Sequence, residues 1–135
     1  MVYLHLEEED ERLVQAATSV IRRNFIPGKH HVGAAVRGKS GRIFTGVHLE
    51  SSAVDVCAEA VAIGAAASSG ERRLESIVAV SMAGDGQPRV LAPCARCREL
   101  INFYGPDVSV IFVEGGVLKK RAARDLLPGS ETDSE

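Results

Sequence analysis

Two short cysteine-bearing segments constrain this chain more than anything else in it: Cys57-Ala58-Glu59 and Pro93-Cys94-Ala95-Arg96-Cys97. Each stands where the surrounding pattern starts a helix after a loop or a strand. Cys94 and Cys97 are one helical turn apart, so their sulfurs face a common point. Cys57 joins them only if its own helix begins beside theirs, as two parallel helices leaving the same edge of a sheet would. Thiolates suit such a place, because free backbone N–H groups and the helix dipole stabilise them.

The other residues supply the expected elements. Leu13, Val14, Ala17, Val20 and Ile21 form one apolar stripe at helical spacing, which predicts a helix over Glu8 to Asn24. Acidic residues open it and Arg22 and Arg23 end it, as the dipole prefers. Val32 to Val36 and Arg42 to Val47 read as a hairpin around Gly38-Lys39-Ser40-Gly41. A helix rich in small residues is expected from Val56 to Ser69, with Gly70 at its end. Buried strands follow at Ile77 to Met82 and Val108 to Val113, on either side of a helix from Cys94 to Tyr104. A strand at Val117 to Lys120 and a turn of helix near Ala122 to Leu127 close the order. The expected fold is α/β: three layers, α/β/α, around a five-stranded mixed sheet. One domain over residues 1–129 is expected, with 130–135 as an acidic, flexible tail.

Composition narrows the function. The 135 residues are 45% hydrophobic and 25% charged, with a net charge of −2. That is the balance of a globular protein and lacks the basic excess of a duplex nucleic-acid binder. The short run Lys119-Lys120-Arg121 is expected to be a solvated edge strand and not an RNA site. No apolar run approaches the roughly 20 residues of a membrane span. Met1 to Asp10 lacks the basic start and apolar stretch of an export signal, so none is expected. The 3 cysteines are an odd number, so they pose a question of metal binding or catalysis before one of disulfides.

Three thiolates are a soft base for Zn²⁺. A closed structural site has four protein ligands, but the chain has no fourth cysteine and neither motif holds a histidine. A three-ligand site keeps a position for water, and Glu59 lies within reach of it as a proton carrier. Two other readings stay open here: three buried thiols without metal, and a closed zinc site completed by a distant histidine. His30-His31 also invites a metal reading. The alternative is one ring exposed and one lining a pocket, since neighbours on a strand face opposite ways.

Together the two motifs resemble the zinc-dependent cytidine deaminase superfamily in its three-cysteine form. The hairpin from Val32 to Val47 and the closing Asp125-Leu126-Leu127-Pro128 are similar to the corresponding family segments. Cysteine at position 57 points to the small homotetrameric branch, which includes cytidine deaminases and blasticidin S deaminase. The resemblance implies one zinc per subunit on Cys57, Cys94 and Cys97, with Glu59 as the catalytic proton carrier. It implies hydrolytic release of ammonia from the exocyclic amine of cytidine or a related aminated nucleoside or heterocycle. The backbone around Ala58 would stabilise the tetrahedral intermediate. A homotetramer in the cytoplasm, with a small-molecule partner and neither nucleic acid polymer nor membrane, is the accompanying expectation.

The pattern departs from the family at the substrate end. The family's Asn-x-Glu ribose segment is His48-Leu49-Glu50 here, and a phenylalanine that stacks near the base is replaced by His30. The aromatic that follows Leu-Leu-Pro in the family is absent. The arginine usually found after the catalytic glutamate is Ala60, so Arg96 is the candidate that compensates the thiolate charge. His30, His48, Glu50 and Ala58 are thus the expected substrate contacts. These changes raise two alternatives: a deaminase of a bulkier or non-ribosyl cytosine compound or a free base, and a non-catalytic zinc-stabilised oligomer that binds a nucleoside.

Overall fold

The computed structural model describes residues 3–82 and 84–127. Helix α1 spans Glu8–Asn24 and is followed by strands β1, Val32–Gly38, and β2, Ile43–Val47. Two short strands, β3 at Leu49–Glu50 and β4 at Asp55–Val56, lead into helix α2 at Ala58–Ser68. Strands β5, Leu74–Met82, and β6, Pro88–Leu91, precede helix α3 at Ala95–Tyr104. Strands β7, Ser109–Glu114, and β8, Val117–Ala122, and a 3₁₀ turn at Ala123–Leu126 complete the order.

The main sheet runs β2-β1-β5-β7-β8, with β6 paired to β5 beside this path. Among the described strands only β5 and β7 pair in parallel, because α3 carries the chain back across the sheet between them. The expected five strands are therefore present, and β6 is an addition. It is short and begins with Pro88, whose missing N–H suits the first position of an edge strand. The β3–β4 pair was also not expected; two residues per strand leave no periodicity to read.

Period-two alternation divides the core into two layers. Leu13, Ala17 and Ile21 of α1 pack on Ala35, Val78, Val80 and Ile111. The alternate residues, Ala34, Val36, Ile77, Ala79, Val110 and Phe112, face Ala58, Ala62 and Ile63 of α2 and Ile101 of α3. The buried Asp10 at the start of α1 accepts from Lys120 Nζ at 2.8 Å and from the Glu7 N–H at 2.8 Å. The basic run on β8 is thus an edge strand but not a solvated one: Lys120 is committed to Asp10 and Arg121 is buried.

Glycines set how closely the helices approach. A Cβ on Gly46 would lie 2.6 Å from the backbone N of Ala62 and 2.8 Å from Val61 Cβ. Backbone cannot yield as a flexible side chain does, so α2 packs against β2 only because residue 46 has no side chain. Gly46→Ala is expected to destabilise the protein by about 2–3 kcal/mol, the upper range of overpacking. Urea unfolding would measure it, and a loss below half a kilocalorie would contradict this account of the packing.

The helix starts are later than expected at both motifs. Cys57 and Cys94 are the N-cap residues of α2 and α3, each with extended backbone. Val56, placed in the helix by its apolar character, pairs instead with Leu49 in the β3–β4 ladder. The closing Leu126 is buried, whereas Pro128, Gly129 and the acidic tail 130–135 lie outside the described residues.

Candidate active site

The N-termini of α2 and α3 meet at one end of the sheet. The sulfurs of Cys57, Cys94 and Cys97 lie within 4.8 Å of one another, and Cys57 Sγ is 3.9 Å from Cys94 Sγ. Cap geometry explains the convergence. An N-cap side chain folds toward the first turn of its own helix, so Cys94 meets Cys97 on that turn. The backbone N–H groups of Cys97 and Arg96 lie where they favour the thiolate form of Cys94. Arg98 pins the approach to α3, donating from Nε to the Pro93 carbonyl at 2.9 Å and from Nη1 to the Leu126 carbonyl at 3.4 Å. The closing 3₁₀ turn thereby braces the segment that carries Cys94. Sequence reasoning missed this residue, since an arginine on a helix gives no sign of which carbonyls it will reach.

The electrostatics fit a divalent cation. Burial pushes the Cys97 thiol far up, and the neighbouring Glu59 carboxylate adds to it. Burial also raises the Cys57 thiol. At Cys94 burial acts the same way, but the two backbone N–H groups and adjacent thiols outweigh it and hold the thiol below its usual range. Glu59, 6% exposed, is pushed above the usual carboxylate range by burial. Burial therefore opposes ionisation of Cys57, Cys97 and Glu59 when no cation is present. A bound divalent ion reverses that balance and deprotonates thiols outright. The donor set of three sulfurs, fewer than a closed structural site uses, suits zinc with an open position.

A cavity of about 150 Å³ opens beside the sulfurs, lined by Val32, His48, Cys57, Ala58, Glu59, Leu91, Ala92 and Cys94. It brings together three of the expected residues, His48, Ala58 and Glu59, with two of the cysteines. Arg96 lies outside the lining, with Nη2 4.0 Å from Cys57 Sγ. Glu50 is not among the lining residues either; its Oε1 lies 3.9 Å from His48 Nε2.

His30 is not among the lining residues; its Nδ1 bonds the His48 carbonyl at 2.8 Å. His31 meets the His48 ring edge-on, with centroids 4.7 Å apart. The strand alternation expected for the histidine pair does not apply, because β1 begins only at Val32 and His30 is in an isolated bridge with Ile26. Both histidines serve His48, one through its backbone and one through its ring. Asp55, which sequence reasoning passed over, bonds His48 Nε2 at 2.9 Å.

Comparison with known proteins agrees with this geometry. Residues 7–113 match the family model for the cytidine and deoxycytidylate deaminase zinc-binding region. The chain is 42% identical over 134 residues to a blasticidin-S deaminase of Bacillus cereus, covering 95% of this chain and 96% of that one. It is 34% identical over 115 residues to a cytidine deaminase of Mycobacterium tuberculosis, covering 83% and 81% of the two chains. The crystal structure of cytidine deaminase from Mycobacterium leprae superposes with a TM-score of 0.74 at 29% identity, over 90% of this chain and 99% of that one.

Proposed function

The chain belongs to the cytidine and deoxycytidylate deaminase zinc-binding family, and from that premise we propose that it is a zinc-dependent aminohydrolase whose metal ligands are Cys57, Cys94 and Cys97. Its reaction replaces the exocyclic amine of a cytidine-like ring by a carbonyl, consuming water and releasing ammonia. The observation that carries this reading is the convergence of three sulfurs within 4.8 Å of one another, beside a cavity lined by two of those cysteines and the buried Glu59. When bound, zinc supplies a Lewis acid that makes a water nucleophilic near neutral pH.

The chain's own residues do the rest. Glu59 takes the proton from the attacking water and passes it to the ring nitrogen. It then serves the departing amine, which leaves as ammonia. Burial favours the protonated form of Glu59, which suits a group that must hold a proton between two transfers. The first N–H groups of α2 have no intrahelical partners, and Ala58, which opens that helix, lines the cavity. They are placed to stabilise negative charge as it develops. Val32, Leu91 and Ala92 give the pocket apolar walls that exclude bulk water.

Arg96 offsets the charge of the thiolates through Cys57. Arg96→Ala is expected to weaken zinc binding by about 10–100-fold, the range for partners of metal ligands. Competition with a chromogenic chelator would measure this. Unchanged affinity together with unchanged turnover would remove the role.

Two readings of the substrate remain, and the replacement of asparagine by His48 favours the second. One is cytidine or deoxycytidine. The other is a bulkier or non-ribosyl cytosine compound such as blasticidin S, which the 42% identical relative is named for, or a free base. Ammonia release from a panel of aminated bases, nucleosides and blasticidin S decides between them. Release from none, with zinc fully bound, would leave a nucleoside-binding oligomer instead.

We further propose one domain over residues 1–129 and a cytoplasmic homotetramer. No described helix is long and apolar enough to cross a membrane. The exposed small face of α2, including Gly64 and Ala65, supports close packing against another copy. The mass in solution tests the assembly.

A further inference from the structure

The proposed reaction leaves unused two carboxylates beside His48, which forms part of the cavity wall. The β3–β4 ladder sets Glu50 directly opposite Asp55. Like charges so placed repel, yet His48 lies between them, with Nε2 2.9 Å from Asp55 Oδ1 and 3.9 Å from Glu50 Oε1. A carboxylate only accepts, so the proton of the shorter contact sits on Nε2.

The other contacts around His48 do not choose between its ring nitrogens. Its backbone N–H donates to the Val32 carbonyl at 2.9 Å, its own carbonyl accepts from His30, and its ring meets the His31 ring edge-on. The bond made by one ring nitrogen determines the state of the other. Nδ1 is buried and has no partner among the described residues. The side chain that carries it forms a wall of the cavity.

We propose that Asp55 is a positioning residue, which by accepting from Nε2 locks the orientation and tautomer of the His48 ring and so fixes the wall against which the non-reacting end of the substrate rests. Asp55 itself touches neither the sulfurs nor Glu59, so its effect falls on substrate binding and spares the chemical step. This inference rests on the deaminase reading of the site.

The test uses the zinc-loaded protein. Ring ¹⁵N spectra of the histidines, with His48 assigned by its substitution, are expected to show Nε2 protonated and Nδ1 bare in the wild type. Asp55→Ala is expected to mix the two tautomers and to raise KM for the best substrate of the panel about tenfold, with kcat within about threefold. Asp55→Asn, whose amide oxygen still accepts from Nε2, is expected to recover most of that loss. Wild-type His48 protonated on Nδ1 would overturn the proposal, and this needs no variant to fold. So would an alanine variant whose tautomer and KM both match the wild type. Loss of zinc with an unchanged tautomer would also overturn it, since that is the mark of a purely structural contact. A wild-type protein that deaminates nothing in the panel would defeat the deaminase reading instead, while the ring spectrum would still report on the lock.

Discussion

Glu59→Gln will lower kcat by about a hundred- to ten-thousand-fold while zinc stays bound. Glutamine keeps the size and hydrogen-bonding reach of the side chain but cannot carry a proton, so the substitution separates proton transfer from shape. Glu59 is buried at the start of α2, two residues after the cysteine that caps the helix. Removing its charge should not unfold the protein, because its carboxyl already leans toward the neutral form through burial. The measurement is ammonia release on the best substrate of the panel, with zinc content determined on the same sample. A variant that kept more than a tenth of the wild-type kcat would end the assignment of Glu59 as the proton carrier.

Cys97→Ser will cost most of the bound zinc and, with it, activity and stability. Cys97 is 3% exposed and sits on the first turn of α3, where its sulfur faces Cys57 and Cys94. Serine nearly preserves the volume but gives a hard, weakly acidic ligand in place of a soft thiolate. Zinc affinity should fall more than the roughly 10–100-fold seen when only a partner of a ligand is removed. A metal that binds the folded state at a hundred times its Kd adds about 2.7 kcal/mol to stability. Chelation should therefore lower the Tm of the wild type by roughly 10 °C for a domain of this size. The same chelator should leave the Tm of Cys97→Ser almost unmoved, since that protein has little zinc to lose. Equal shifts in both proteins would mean that the three sulfurs do not hold the metal.

The two motifs could be read before any coordinates because their chemistry is local. Cys94 and Cys97 share one helical turn, and Cys57 and Glu59 share another, so spacing alone paired them. The layers could be read for a similar reason: β1, β5 and β7 alternate between two apolar faces, and that alternation is written residue by residue in Ala34–Val36, Ile77–Val80 and Val110–Phe112. The N-cap positions of Cys57 and Cys94 were missed by a residue or two, since the apolar Val56 looked helical until a strand partner was found for it.

The surroundings of His48 belong to a different class of information. Its sequence neighbours say only that a histidine stands where the family resemblance leads one to expect asparagine. The run His30-His31-Val32, which enters β1, and Asp55 of β4 come to it from either side in the sequence, and no periodicity links them to it. The same holds for Arg98, which reaches the Leu126 carbonyl across the fold. Composition, helical spacing and alternation determined the layers, the Cys94–Cys97 pair and the acid two residues after Cys57, because each depends on residues a few positions apart; the meeting of Cys57 with Cys94, across 37 residues, was decided by the fold. Tertiary structure alone decided which side chains line the cavity, because contacts between distant segments depend on how closely the layers pack, and here that closeness depends on residues such as Gly46 that carry no side chain at all.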